Sequence, residues 1–225
     1  MEFEEIKKLY EKYKKKYGNQ TYKKISKILT EAKEIHKKYF LKIKPNGDHE
    51  QSWRAFKGKN LEKLLIHIIV DEVRALGLEI INGNSLERTN SNNLSEQLDK
   101  VKRNLVVDYG EFGMHLPDVD LVIFHPKTYK VLAVLSSKVT LRERVAQTGY
   151  WKFKLMGSET TKNIKVLFLT PDEDGTLTTK KPTKKGRAIV EVDLDGTYVM
   201  TEANIEESNN VKLLDKFIDD LKKLI

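Results

Sequence analysis

Two apolar runs on either side of a short turn constrain this chain more than any other feature: "DLVIF" and "YKVLAVLSS", joined by "HPKT". Leu121, Val122, Ile123, Val131, Leu132, Ala133 and Val134 leave no polar face, so this hairpin has to lie inside a sheet that is covered above and below. Apolar residues at helical spacing supply the cover. Ile6, Leu9, Tyr10 and Tyr13 predict a helix over 2–17, and Ile25, Ile28, Leu29, Ala32, Ile35 and Phe40 predict one over 20–43. A long helix is expected from Asn60 to Leu76, stopped by Gly77, with shorter ones in "LSEQLDKVKRN", "VTLRERVAQTGYWKFKLMG" and the closing "NNVKLLDKFIDDLKKLI". Further strands are expected in "LEII", near Leu105 to Tyr109, in the buried run "IKVLFLT", and as outer strands in "GRAIVEVD" and "TYVMT". The order predicts an α/β fold of the mixed α+β kind, a central mixed β-sheet flanked by helices. Turn chemistry in "KPNGDHEQS" marks a boundary, giving an N-terminal helical subdomain over 1–50 and a second domain over 51–225.

Charge is unevenly placed. Residues 1–44 hold 14 lysines against 6 acids, a net of +8, so the other 181 residues carry 27 basic and 27 acidic groups and sum to zero. A basic helical arm beside a neutral domain suits a phosphate backbone, through counterion release and steering. The chain has no cysteine, which excludes a disulfide scaffold, a thiolate zinc site and a cysteine nucleophile. Its 5 histidines form no cluster in sequence, and no run approaches the roughly 20 apolar residues of a membrane span. A cytoplasmic protein with no membrane partner is expected, and abundant Lys, Glu and Ile beside absent Cys read as a thermophile's composition.

The hairpin carries charge at its open end. Asp118 and Asp120 share one strand face, as do Ser136 and Lys138. With the turn centred on Lys127, Asp118 is expected opposite Ser136 and Asp120 opposite Val134. Acids and a lysine crowded against an apolar hairpin are costly unless they hold something. A divalent cation such as Mg²⁺ together with a phosphate would satisfy them.

"PD" at 117–118, then a hairpin, then "SSK" at 136–138 resembles the PD-(D/E)xK nuclease signature, whose core is a helix followed by a mixed sheet. The chain departs from that signature at Ser136, where an acid is usual. A group of type II restriction endonucleases related to EcoRII, NgoMIV and BsaWI, which read CCGG or CC-GG targets, is similar in having a small residue there. In that group the missing acid comes from a position about thirteen or fourteen residues past the lysine, but here those positions are Trp151 and Lys152. The resemblance therefore leaves Asp120 or a helical glutamate to serve. "WRAFKGKNLEKLL" resembles the first core helix of such enzymes and offers Glu62. Arg142-Glu143-Arg144, expected in a first helical turn capped by Thr140, resembles the group's R-(D/E)R motif. Arginine can donate twice to guanine O6 and N7 and glutamate can accept from cytosine N4, so the triplet can read adjacent G·C pairs. Gln147 matches a helix glutamine that supports such sites.

The resemblance implies a type II restriction endonuclease with a restriction-endonuclease-like core, hydrolysing double-stranded DNA with Mg²⁺ at a short palindrome containing adjacent G·C pairs. Asp118 would bind the metal with Asp120 and Glu62 in support, Lys138 would orient water and stabilise phosphate charge, and Arg142, Glu143 and Arg144 would read bases. A palindromic target implies a homodimer, and restriction implies a cognate DNA methyltransferase. Two other readings stay open: a structure-selective or repair nuclease of the same fold, and a non-catalytic DNA-binding protein in which Ser136 marks a dead site.

Overall fold

The computed structural model describes residues 1–88, 94–141 and 144–225. A six-stranded mixed sheet forms its centre, in the order β1 (Glu79–Asn82), β4 (Leu121–Phe124), β5 (Val131–Ser137), β6 (Lys165–Thr170), β7 (Gly196–Val199) and β8 (Val211–Leu213). β1, β4 and β5 are antiparallel neighbours, and β5 to β8 run parallel. A separate two-stranded ribbon pairs β2 (Val107–Asp108) with β3 (Met114–His115).

Strand alternation sorts the core into two layers, one on each face of the sheet. On one face Leu121, Ile123, Ala133, Leu135, Leu167 and Leu169 pack with Ile6 and Tyr10 of α1 (Phe3–Tyr17), Ile25 to Ala32 of α2 (Ile25–Ile43), and Leu61, Leu64, Leu65 and Ile69 of α3 (His49–Ala75). On the other face Val122, Phe124, Val134, Val166 and Phe168 pack with Val101 of α5 (Glu96–Arg103), Val145 and Leu155 of α6 (Arg144–Met156), and Val190 of α7 (Lys185–Asp193). The expected fold class is the observed one. The N-terminal helices bury their apolar stripe in the same cluster as α3 and the sheet, so the core continues across the boundary near residue 50.

Four expectations change. α3 begins at His49 rather than Asn60, because Asp48 accepts the Gln51 amide at 3.0 Å and caps a 27-residue helix. "GRAIVEVD" is the helix α7: a strand would place Val190 and Val192 on one face, whereas Val190 is 0% and Val192 80% exposed. "TYVMT" supplies β7, an inner strand with all four residues buried, and the start of the expected closing helix is the edge strand β8 instead. That helix shortens to α8 (Phe217–Lys222). The connection after β1 holds a short helix, α4 (Gly83–Arg88).

Candidate active site

The hairpin register differs from the expected one by two residues, and the difference decides which acid meets the lysine. The turn centres between Lys127 and Thr128, with the His125 amide donating to the Lys130 carbonyl at 2.9 Å, which moves the register by one. A bulge near Ile123 and Phe124 moves it by one more, so that Phe124 faces Val131 while Ile123 faces Ala133 and Leu121 faces Leu135. Leu132 and Ala133 consequently both belong to the same core layer. Continuing this register sets Asp120 against Ser136, and the expected pairing of Asp118 with Ser136 is not formed.

Asp120 is 6% exposed and fully engaged. Lys138 Nζ donates to its two carboxylate oxygens at 3.1 and 2.8 Å, and the Ser137 amide donates to Oδ2. Its backbone is held as well: its amide donates to the Leu135 carbonyl at 3.0 Å, and its carbonyl accepts from the Gly83 amide at 2.9 Å. Gly83 is required there, because a Cβ would stand 2.1 Å from the Val119 carbonyl oxygen. A buried carboxylate is expensive unless a cation and donors meet it, and both are present.

Two more acids flank this pair. Glu62, half-buried on α3, accepts from Asn82 Nδ2 at 2.9 Å. Burial above all pushes its carboxyl above the usual carboxylate range, the Asp120 and Asp118 charges push the same way, and the Asn82 amide and Lys138 ammonium pull it back. The site thus brings Glu62, Asp118, Asp120 and Lys138 within one another's field. Asp118 is exposed, two residues outward, and accepts from Gln147 Nε2 on α6 at 2.8 Å. Ser136 is buried at the end of β5, next to a Ser137 hydroxyl that is buried without a partner.

Among the described residues no three His, Asp or Glu side chains already form a metal cage. The donors that are present fit a hard divalent cation held by one or two carboxylates and completed by phosphate and water oxygens, since every one is an oxygen. Arg142 and Glu143 lie outside the described residues, and Arg144 enters only as the first residue of α6. Thr140 and Leu141 are not helical, so Thr140 does not cap α6. Trp151 and Lys152 supply no acid; Lys152 pairs with Asp195 at 2.6 Å. Tyr150 and Phe153 of α6 face solvent, while Leu155 lies in the core.

Sequence reasoning missed Asn82 and Gly83, which fix Glu62 and the Asp120 backbone. The visible signal was "NGN" directly after the strand "LEII". It also missed Glu173, whose amide donates to the Val139 carbonyl at 3.1 Å and whose carboxylate pairs with Lys57 of α3 at 3.2 Å.

The chain is similar to several known proteins. A family model described as BsaWI restriction endonuclease type 2 matches residues 97–223. MjaVIP of Methanocaldococcus jannaschii, named as a type II restriction enzyme, is 34% identical over 226 residues, covering 98% of this chain and 93% of its own. HpyAORF263P of Helicobacter pylori, also named as a type II restriction enzyme, is 36% identical over 127 residues, 56% of this chain and 64% of that one. Among solved structures, the restriction endonuclease AgeI in its specific DNA complex superposes with a TM-score of 0.58 at 16% identity, covering 99% of this chain and 91% of that one. PspGI with its substrate DNA gives a TM-score of 0.55 at 13% identity, covering 97% and 92%. At such identities the two structures speak for the fold alone; the family match over more than half of the chain and the near full-length relative establish kinship, and they make this chain a type II restriction endonuclease of the BsaWI family.

Proposed function

We propose that Asp120, rather than Asp118, is the principal acid of the reaction, and that the enzyme cuts both strands of duplex DNA at a short palindrome containing adjacent G·C pairs, of the CCGG or CC-GG kind. The observation that carries this is the Asp120–Lys138 pair at the end of the hairpin, with Glu62 and Asp118 beside it. Mg²⁺ held by Asp120 and Glu62, with Asp118 at the rim, would supply Lewis-acid charge to the phosphate and a more acidic water. Lys138, anchored by Asp120, presents an ammonium to the phosphate oxygens and orients the water whose oxygen adds to phosphorus. As the P–O ester bond to the leaving sugar oxygen breaks, the water gives up its proton to solvent, the leaving oxygen takes one up, and the same positive charge offsets the negative charge on the phosphate oxygens. Asn82 fixes the Glu62 carboxylate, and Gln147 fixes Asp118.

In this reading Arg142, Glu143 and Arg144 read the G·C pairs in the major groove. A palindrome calls for a twofold dimer that places one site on each strand. A DNA methyltransferase of matching specificity would protect the host. No helix is long and apolar enough to cross a membrane among the described residues, and the proposed place of action is the cytoplasm.

The test is digestion of unmethylated phage DNA by the wild-type, Asp118→Asn, Asp120→Asn and Lys138→Ala proteins, with Mg²⁺ and with EDTA. Discrete fragments from the wild type alone, lost in EDTA, are the expected result, and sequencing the ends gives the target. Retardation without cutting under every divalent metal would overturn the catalytic reading. Equal cutting by Asp120→Asn and failure of Asp118→Asn would return the principal role to Asp118.

A further inference from the structure

The site leaves one strongly charged feature unused: the run Lys180-Lys181-Pro182-Thr183-Lys184-Lys185, every residue of which is exposed. Topology fixes where it lies. β5, β6 and β7 are parallel and finish at one edge of the sheet, the edge to which β5 delivers Lys138. β4 is antiparallel to β5 and starts at that edge, directly after Asp120. A chain leaving β6 at Thr170 therefore emerges beside the reactive pair. Contacts keep it there: the Lys138 amide donates to the Leu169 carbonyl at 3.3 Å, and the Glu173 amide to the Val139 carbonyl at 3.1 Å. Gly186, just past the lysines, lies close enough that a Cβ would stand 3.5 Å from Leu141 Cδ2.

The segment is held by groups that the reaction does not use. Arg187 is fully buried. Its guanidinium donates to the Leu177 carbonyl and, at 2.7 Å, to the Glu206 carbonyl, and it pairs with Glu191 at 2.7 Å. The Lys180 amide donates to Glu206 Oε2 at 2.6 Å, and the Glu206 amide to the Thr178 carbonyl at 2.9 Å. A desolvated arginine is a costly way to join two surface loops. It gives a fixed platform for the lysines that precede it.

Those lysines are also unspent. Lys184 Nζ donates to the Gly175 carbonyl at 2.9 Å. Lys180, Lys181 and Lys185 enter no ion pair among the described residues. Lys24 and Lys27, at the start of α2, behave differently: both are taken by Glu202, which follows β7 at the same edge. Three unpaired ammonium groups within six residues repel one another, and a polyanion lying along the edge would relieve that.

We propose that the loop 180–185 is a second DNA-contacting surface, gripping the phosphate backbone outside the bases that the 142–144 triplet reads. This rests on the reading of the Asp120–Lys138 edge as the one that meets DNA. A lysine ammonium is a point charge on a flexible stem, suited to phosphate and carrying no base information. The loop therefore adds affinity for every sequence equally and sets the duplex across the edge.

The test uses the full chain with Lys180, Lys181 and Lys185 all changed to Gln, and a second protein with the same three changed to Arg. Lys184 is kept because it bonds Gly175. Affinity is measured in EDTA against NaCl concentration, for a duplex carrying the mapped cleavage site and for a scrambled duplex. In the Gln protein the log–log salt slope is expected to flatten by about 2 to 3, and binding near roughly 0.1 M salt to weaken about ten- to a hundredfold, by the same factor for both duplexes. The Arg protein should bind within about twofold of wild type, with both unfolding midpoints unchanged because these side chains are exposed. An unchanged slope overturns the proposal while a cutting wild type keeps the nuclease reading. A loss confined to the site-bearing duplex overturns it in favour of base reading, and a wild type that neither cuts nor binds in a salt-dependent way overturns both.

Discussion

Asp120 and Asp172 are both buried aspartates at the same edge of the sheet, one just before β4 and the other just after β6 with β5 between them, yet their surroundings differ in kind. Asp120 meets Lys138 and the Ser137 amide, and two further carboxylates flank it. Asp172 meets the amides of its own turn, Thr176 at 2.9 Å and Leu177 at 2.8 Å, and the nearby Asp174, in a left-handed backbone conformation with φ 51°. Burial above all, and then the nearby Asp174, push its carboxyl up to about 6 against the pull of the two amides. A buried acid that shares a cation with neighbouring acids is built for exchange with a ligand. One that is closed by its own turn holds a loop in shape.

This contrast can be broken by substitution. The largest effect is expected from Asp120→Asn, which leaves Lys138 without its anchoring charge and should lower single-turnover cleavage about a thousandfold. An active Asp120→Asn protein would erase the distinction. Arg187→Met removes the ion that ties the Asp172 loop to Glu206, and should cost about 3 to 5 kcal/mol in urea unfolding. A cost near zero would mean that the loop needs no such tie. Arg142→Ala and Arg144→Ala should each cost about 1 to 3 kcal/mol of discrimination at a G·C pair, read as binding to single-base variants of the target.

Smaller effects sharpen it. Asn82→Ala frees the Glu62 carboxylate and should slow cutting about tenfold with affinity for DNA retained, as expected of a positioning residue losing one hydrogen bond. The Asp172 carboxyl binds its proton more tightly folded than unfolded, where its pKa is about 3.9. Its contribution is therefore fully present below about pH 4 and is lost as pH rises through about 6. Asp172→Asn should flatten that decline when urea midpoints of the variant and wild type are compared across the window, without touching cleavage.

Much of this was legible in one dimension. The apolar hairpin demanded a covered central sheet, helical spacing pointed to α1, α2 and α3, and "PD", "SSK" and "RER" carried the resemblance to restriction endonucleases before any coordinate. Glu62 came from the resemblance of "WRAFKGKNLEKLL" to the first core helix of such enzymes. α7 was misread because "AIVEV" satisfies a period of 2 and a period of 3.6 about equally, and only packing against α6 separates the two.

By itself the sequence determined which residue types were available: carboxylates, one lysine at a strand end, and no thiols, because composition and alternation are local properties. Tertiary structure decided which acid meets that lysine, because register is a sum over the whole hairpin. A turn shifted by one residue and a bulge adding another carried Asp120 to the place expected for Asp118. It also decided that the lysine run 180–185 lies at the same sheet edge as the catalytic pair, because parallel strands bring their ends to one edge whatever their distance along the chain.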